Sequence, residues 1–463
     1  MDSINYSRPM HVHFIGIGGS SMSGLANILL SKGFTVSGSD SVSNEATKDL
    51  EKKGVEIHYP QAAGNVPDNT DLVVYTAAVH DDNPELADAR ARGFKCENRA
   101  VLLGQIMKNY SHAINVAGTH GKTTTTSLIT DIMIAAGTDP TVSVGGVVET
   151  IGSNMRIGSS ETFITEACEY TNSFIHANPT ISVILNIEED HLDFFKDLDD
   201  IRKSFKMFAD LIPSDGTLVI NSDIPDYEFF RPSSGGNFIT YGTDKSKTDY
   251  YADNIVYDDH GQASYDLIIN GKFAYKVRLH IPGAHNVSNS LAAIAACTAA
   301  GADAEAVTSG LALSRGAHRR QEFKGTFNNG VKVIDDYAHH PDEITATLAA
   351  VELMTNGHVW SVFQPHTYSR TRDFLEEFSD ALRNGSDHAL LAEVYNDREA
   401  DTYGVSSRDI ADIICKKGGD GHFFDTFDEI ESFLRKNCKP GDVVVTLGSK
   451  DVFKIADNLV SGE

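Results

Sequence analysis

The chain reads as an α/β protein of three tandem domains. Two patterns carry that reading. Apolar strand-like runs alternate with helix-like runs from end to end, and glycine-rich or acidic turns stand where the strand-like runs stop. Length agrees with it, since 463 residues predict two to four domains.

The first domain is expected over residues 1–108. The run HVHFIGIG reads as a strand entering the turn Gly16-Ile17-Gly18-Gly19, and SSMSGLANILLSKG reads as the helix after it. A second strand, FTVSGSD, ends on Asp40, and a later one, DLVVYTA, closes on a polar turn. Gly16, Gly18 and Gly19, with Gly24, make a Rossmann-like fingerprint, and Asp40 stands about where a ribose-binding acid would. A dinucleotide, another nucleotide or plain strand–helix packing would each account for those glycines.

The second domain, residues 109–315, begins with the strand HAINVAG, the loop THGK and the helix TTTTSLITDIMIAAG. Gly118-Thr119-His120-Gly121-Lys122-Thr123-Thr124 therefore sits between a strand and a helix, where a phosphate loop must sit. Glycines let backbone N–H groups turn toward phosphate oxygens, and the helix N-terminus adds partial positive charge. Lys122 is placed to neutralise the outer phosphates of ATP, with the Thr123 or Thr124 hydroxyl on Mg²⁺. The spacing is two residues shorter than the usual GxxxxGK[ST] form. The strand-like runs FITEACE and ISVILNIEEDH bring Glu166, Glu169 and His191 to strand ends, the side on which open α/β sheets bind ligands. Glu166, Glu169 and His191, with the Thr123 or Thr124 hydroxyl, are candidate Mg²⁺ ligands, because a hard cation takes a few protein oxygens beside phosphate. Residues Gly242–His280 alternate in the manner of an antiparallel patch, and the helix HNVSNSLAAIAACTAAG follows.

The third domain, residues 316–463, carries the strand-like runs VKVIDDY, HVWSVFQ, HALLAEVY and DVVVTLG. Arg319-Arg320, the run from Asp335 to Pro341 and the run from Phe363 to Arg370 are its candidate functional clusters. An arginine reaching into such a site suits a carboxylate through bidentate pairing.

Composition narrows the function. The formal charge of −26, from 65 acidic and 39 basic residues, excludes a nucleic-acid partner on electrostatic grounds. Five scattered cysteines without CxxC spacing predict a reduced, cytoplasmic chain rather than a disulfide or zinc framework. The start MDSINYSRPM lacks signal-peptide patterning, and no apolar run is long enough to cross a bilayer, so no membrane association is expected.

Taken in order, HFIGIGGSSMSG, GTHGKTTTT, EACEY, NIEEDH, GAHNVSNSLAA, GAHRRQEFKG, DDYAHHPDEITAT and FQPHTYSRTRD resemble the Mur ligase family over the whole chain. Ser21, Cys168 and Ser449 depart from the family's common pattern. The resemblance implies an ATP-dependent ligase. ATP would phosphorylate the lactyl carboxylate of UDP-N-acetylmuramate, and the amine of L-alanine would then attack the acyl phosphate, in peptidoglycan precursor synthesis. It further implies Gly16, Gly18, Gly19 and Asp40 on the UDP-sugar, and Gly118 to Thr124 on ATP. Glu166 and His191 would hold Mg²⁺, with Thr123 beside them, and His285 and Asn286 would lie on the adenine side. Lys122, His191 and Arg319 would act in catalysis, with Tyr337, His339 and Arg370 around the amino acid. Two alternatives remain open: a recycling ligase that attaches a preformed peptide to the same sugar nucleotide, and an NAD-dependent dehydrogenase suggested by GIGG and Asp40.

Overall fold

A computed structural model describes residues 4–76, 78–192, 194–258, 260–396, 399 and 402–461. The chain forms two compact units. One comprises Met1–Val147, Ile151–Tyr251 and Leu291–Gly310; the other comprises Val148–Thr150, Ala252–Ser290 and Leu311–Glu463.

The first unit holds a five-stranded parallel sheet in the spatial order Glu56–His58, Thr35–Ser39, His11–Ile15, Leu72–Tyr75, Cys96–Asn98. Its central strand, HVHFI, is wholly buried, as a parallel strand covered on both faces must be. Val12 and Phe14 join one apolar cluster and Ile15 another. The short edge strands Glu56–His58 and Cys96–Asn98 carry no apolar alternation in the sequence; pairing to their neighbours creates them.

The same unit holds a second sheet around His112–Ala117. That strand lies between Thr162–Glu166 and Ile181–Ile184, parallel to both. Thr217–Asn221 and Asn237–Tyr241 extend the sheet on one side, and Thr141–Val148 and Ser153–Arg156 lie on the other. The helix Lys122–Ala135 crosses this sheet and is buried continuously from Thr123 to Met133. Its run of threonines is a poor helix former by propensity. Here Thr126 and Thr130 donate their hydroxyls to the carbonyls of Lys122 and Thr126, each at 2.8 Å, so burial leaves those hydroxyls satisfied.

The second unit contains the antiparallel pair Gln262–Ile269 and Lys272–Pro282, within the stretch expected to be antiparallel. Its main sheet runs Glu322–Phe327, Val331–Asp336, Val443–Leu447, Val359–Phe363, His388–Ala392, Gly421–Phe424. The first pair is antiparallel and the rest are parallel. Side chains alternate across it as the period of two requires: Ile334, Phe363, Leu391 and Val445 enter one cluster, and Val333, Val362, Leu390 and Val444 enter the other. The edge strands Glu322–Phe327 and Gly421–Phe424 have no legible strand pattern and are further elements that sequence reading missed. Among the described residues no helix is long and apolar enough to cross a membrane.

Candidate active site

The phosphate loop is built by two glycines and one asparagine. Gly121 takes the left-handed conformation (φ 82°) as the residue before Lys122–Ala135, and a Cβ on Gly118 (φ 149°) would come within 2.8 Å of Leu185 Cβ. Only glycine meets both demands without strain. Asn186, at the end of the neighbouring strand, clamps the loop. Its Oδ1 accepts from His120 N at 2.8 Å, its Nδ2 donates to His120 O at 3.2 Å, and its carbonyl accepts from Thr119 N at 3.3 Å. Thr119 Oγ1 accepts from Glu188 N at 3.0 Å. Sequence reading missed Asn186, although its place just before the acidic turn was a usable signal.

Lys122 folds back into this loop and donates to the carbonyls of Gly118 and Thr119. It also pairs with Glu169, its Nζ 3.1 Å from Oε2. Burial alone would pull the ammonium down, but the Glu169 carboxylate outweighs it and holds Lys122 above the ordinary lysine range. A buried ammonium beside an open helix N-terminus suits an anion of several charges, so the loop fits the phosphates of ATP.

Glu169, Asp190 and His191 each bring one ligand atom within 4.8 Å of the others, a donor set that fits a divalent cation. His191 adopts φ 54°, and its ring lies 4.5 Å from that of Tyr170. Glu166 is placed differently. It ends the strand Thr162–Glu166, and its Oε1 accepts from Gly145 N at 2.9 Å. Glu169 and Asp190 thus group with His191, and Glu166 is not part of that group. Thr123 and Thr124 lie buried in the first turn of the helix.

In the first sheet's glycine turn, Asp40 is already engaged. Its Oδ2 accepts from Gly18 N at 2.7 Å and its Oδ1 from Ser41 N at 2.7 Å. A Cβ on Gly18 would meet Asn44, Thr47 and Asp40, all within 2.9 Å. A Cβ on Gly24 would sit 2.2 Å from Met155 Cε, so that glycine serves packing rather than a ligand. Gly16 is left-handed (φ 84°) and Gly19 precedes the helix Ser20–Ser31. An acid committed to shaping its own loop is a weaker ribose ligand, which removes the main feature that favoured a dehydrogenase.

The second unit gathers the remaining candidates. His285 and Asn286 lie in the first turn of Ala284–Ala299. Burial, helped by the charge of Arg320, pulls His285 down to about 4, so it is neutral at physiological pH. Asn286 is occupied locally, donating to Pro282 O at 2.6 Å and accepting from Asn289 at 2.9 Å. Tyr337 and His339 have ring centroids 5.4 Å apart. His339 is also held at about 4, first by burial and then by a balance in which Glu343 raises it and Arg370 and Arg320 lower it. Arg370 therefore stands near His339, as the sequence suggested. Arg320, part of the Arg319-Arg320 pair picked out in the sequence, joins them, with Tyr337 5.1 Å beneath its guanidinium and Glu343 at 3.7 Å.

Arg319 has a structural anchorage that the sequence did not reveal. Its Nε donates to Asp335 Oδ2 at 2.8 Å, and its terminal nitrogens donate to Gly448 O at 2.6 Å and Ser449 O at 3.3 Å. Asp335 is fully buried. Arg319→Ala should therefore destabilise the second unit by roughly 3–5 kcal/mol, because it strands a buried carboxylate. Denaturant unfolding tests this; an unchanged midpoint with ATP affinity lost would return Arg319 to a phosphate-contacting role.

The chain matches the sequence signatures of three domains: the Mur ligase family catalytic domain over residues 11–111, the Mur ligase middle domain over 116–297, and the Mur ligase glutamate ligase domain over 319–450. It is 53% identical over 460 residues to UDP-N-acetylmuramate–L-alanine ligase of Lachnospira eligens, covering 99% of this chain and 100% of that one. It is 52% identical to the protein of the same name from Agathobacter rectalis, again over 99% and 100% of the two chains. The crystal structure of UDP-N-acetylmuramate-alanine ligase MurC from Thermotoga maritima is similar at a TM-score of 0.77 and 29% identity, covering 98% of this chain and 99% of that one. With a phosphate loop, a carboxylate–histidine cluster and three matched domains in this order, the chain belongs to the Mur ligase family.

Proposed function

We propose that this ATP-dependent ligase joins L-alanine to the lactyl carboxylate of UDP-N-acetylmuramate, in the cytoplasm, as a step of peptidoglycan precursor synthesis. The observation that carries the reading is Lys122, held in the phosphate loop beside a carboxylate that groups with Asp190 and His191. Likeness over the full length to proteins of that name supports the choice of substrates.

A carboxylate oxygen of the sugar nucleotide attacks the γ-phosphorus, and the bond to ADP breaks with its electron pair leaving on ADP. The neutral amine of alanine then attacks the acyl carbon, phosphate departs, and the amine gives up a proton. Two anions must meet in the first step. Lys122 and the N-terminus of Lys122–Ala135 offset that repulsion, and the loop fixes the phosphate for in-line transfer. Thr123, Glu166, Glu169, Asp190 and His191 are the residues that would hold Mg²⁺, which supplies charge neutralisation on the phosphates. Neutral His339 can accept a hydrogen bond from the incoming amine, and Arg370 and Tyr337 bound the amino-acid site.

The metal assignment separates two glutamates. Glu169→Gln should raise the Mg²⁺ concentration needed for half-maximal turnover by about tenfold or more, since an amide keeps the shape and loses the charge a hard cation seeks. Glu166→Gln should raise it less. A Mg²⁺ titration of both variants decides this, and an unchanged curve for Glu166→Gln removes Glu166 from the site.

The test of the function is direct. Enzyme, ATP, Mg²⁺ and UDP-N-acetylmuramate are mixed with each amino acid in turn and with a preformed muropeptide, and the products are weighed. A product only with L-alanine, or far more with it, is expected. A product only with the peptide would make the protein a recycling ligase.

A further inference from the structure

Arg99 opens the helix Arg99–Met107, in the same compact unit as the glycine turn and the phosphate loop. Its guanidinium is half-buried and donates to Ser21 Oγ at 3.0 Å. Among the described residues no carboxylate pairs with it. Burial pulls it below the ordinary arginine range. The helix that Arg99 opens packs against Tyr170–His176, the segment that directly follows Glu169, the partner of Lys122, and Asn178 Nδ2 donates to Gly104 O at 3.0 Å.

A guanidinium withdrawn from water without a counter-ion is costly, and it offers five donors in a planar fork, of which Ser21 uses one. Such an arrangement is completed by an arriving anion. The turn Gly16–Gly19 and the N-terminus of Ser20–Ser31 supply backbone donors suited to a diphosphate. Arg99, bonded to Ser21 in the first turn of that helix, adds a charged donor next to them. We propose that Arg99 binds the carboxylate of the acceptor sugar nucleotide and holds it for phosphorylation at Lys122. The inference rests on the reading of the reaction given above. It also explains Ser21, whose hydroxyl aims the guanidinium.

Calorimetric titration of the full chain with UDP-N-acetylmuramate, and with UDP-N-acetylglucosamine, which has the same nucleotide and no lactyl carboxylate, tests it. Arg99→Met should weaken binding of UDP-N-acetylmuramate by roughly tenfold to a hundredfold, the worth of a charge-assisted hydrogen bond. Binding of UDP-N-acetylglucosamine should change by less than about threefold, and Arg99→Lys should recover part of the loss. The melting temperature of the ligand-free Arg99→Met protein should stay level or rise, because an uncompensated charge has been removed. Equal losses for the two nucleotides would assign Arg99 to the diphosphate and overturn the proposal. So would unaltered binding of both, or a large fall in melting temperature, the mark of a structural arginine. A wild-type protein that binds neither nucleotide overturns the functional reading itself, whereas wild-type binding with indistinguishable variants overturns only the role of Arg99.

Discussion

Lys122→Ala should lower ligation by roughly a thousandfold or more while the protein stays folded. The ammonium is folded inside the phosphate loop, bonded to the carbonyls of Gly118 and Thr119 and paired with Glu169. When phosphates enter, those donors can turn to them, and the charge acts where negative charge accumulates during transfer. The substitution has a second effect that must be kept apart from the first. Glu169 is 3% exposed, so removing its cation leaves a buried carboxylate poorly compensated and costs stability. The double variant Lys122→Ala/Glu169→Gln should regain that stability and none of the activity. Single-turnover measurements beside thermal unfolding separate the two effects. Turnover above about a tenth of wild type in Lys122→Ala would remove the loop lysine from the chemistry.

Arg370→Lys should raise the Michaelis constant for L-alanine by roughly tenfold to a hundredfold and leave those for ATP and the sugar nucleotide nearly unchanged. The planar fork matches the α-carboxylate with two parallel hydrogen bonds, which an ammonium cannot reproduce. Arg370 sits in the short helix Tyr368–Asp373. The carboxylate of Glu399 pins the start of that helix, accepting from the backbone N–H groups of Tyr368 and Ser369. The bland role for Arg370 would be a surface pair with Asp373 or Glu376. Those two acids are engaged elsewhere, Asp373 with Arg372 at 2.6 Å and Glu376 with Lys417 at 2.7 Å. Steady-state kinetics with each substrate varied in turn is the check. A parallel rise in all three constants would make Arg370 a support of the fold rather than a clamp on the amino acid.

What the sequence by itself determined was local. The phosphate loop is a contiguous stretch, and its glycines, lysine and flanking apolar periods were legible because backbone conformation there depends on near neighbours. The wholly buried central strands declared themselves in the same way, as short, mostly apolar runs. The tertiary structure alone decided which distant groups meet. Asn186 clamps a loop 66 residues away. Arg319 reaches Asp335, 16 residues on, and Gly448, 129 residues on, so a residue expected at the phosphates is also a brace of the last sheet. Glu169 and Asp190 group with His191, while Glu166 accepts from Gly145 N. Arg99 meets Ser21 across 78 residues. The period of a strand or the chemistry of a turn is written in adjacent residues, but the partner of a charge is set by strand order and by which loops the sheet brings to one edge, and no spacing along the chain records that.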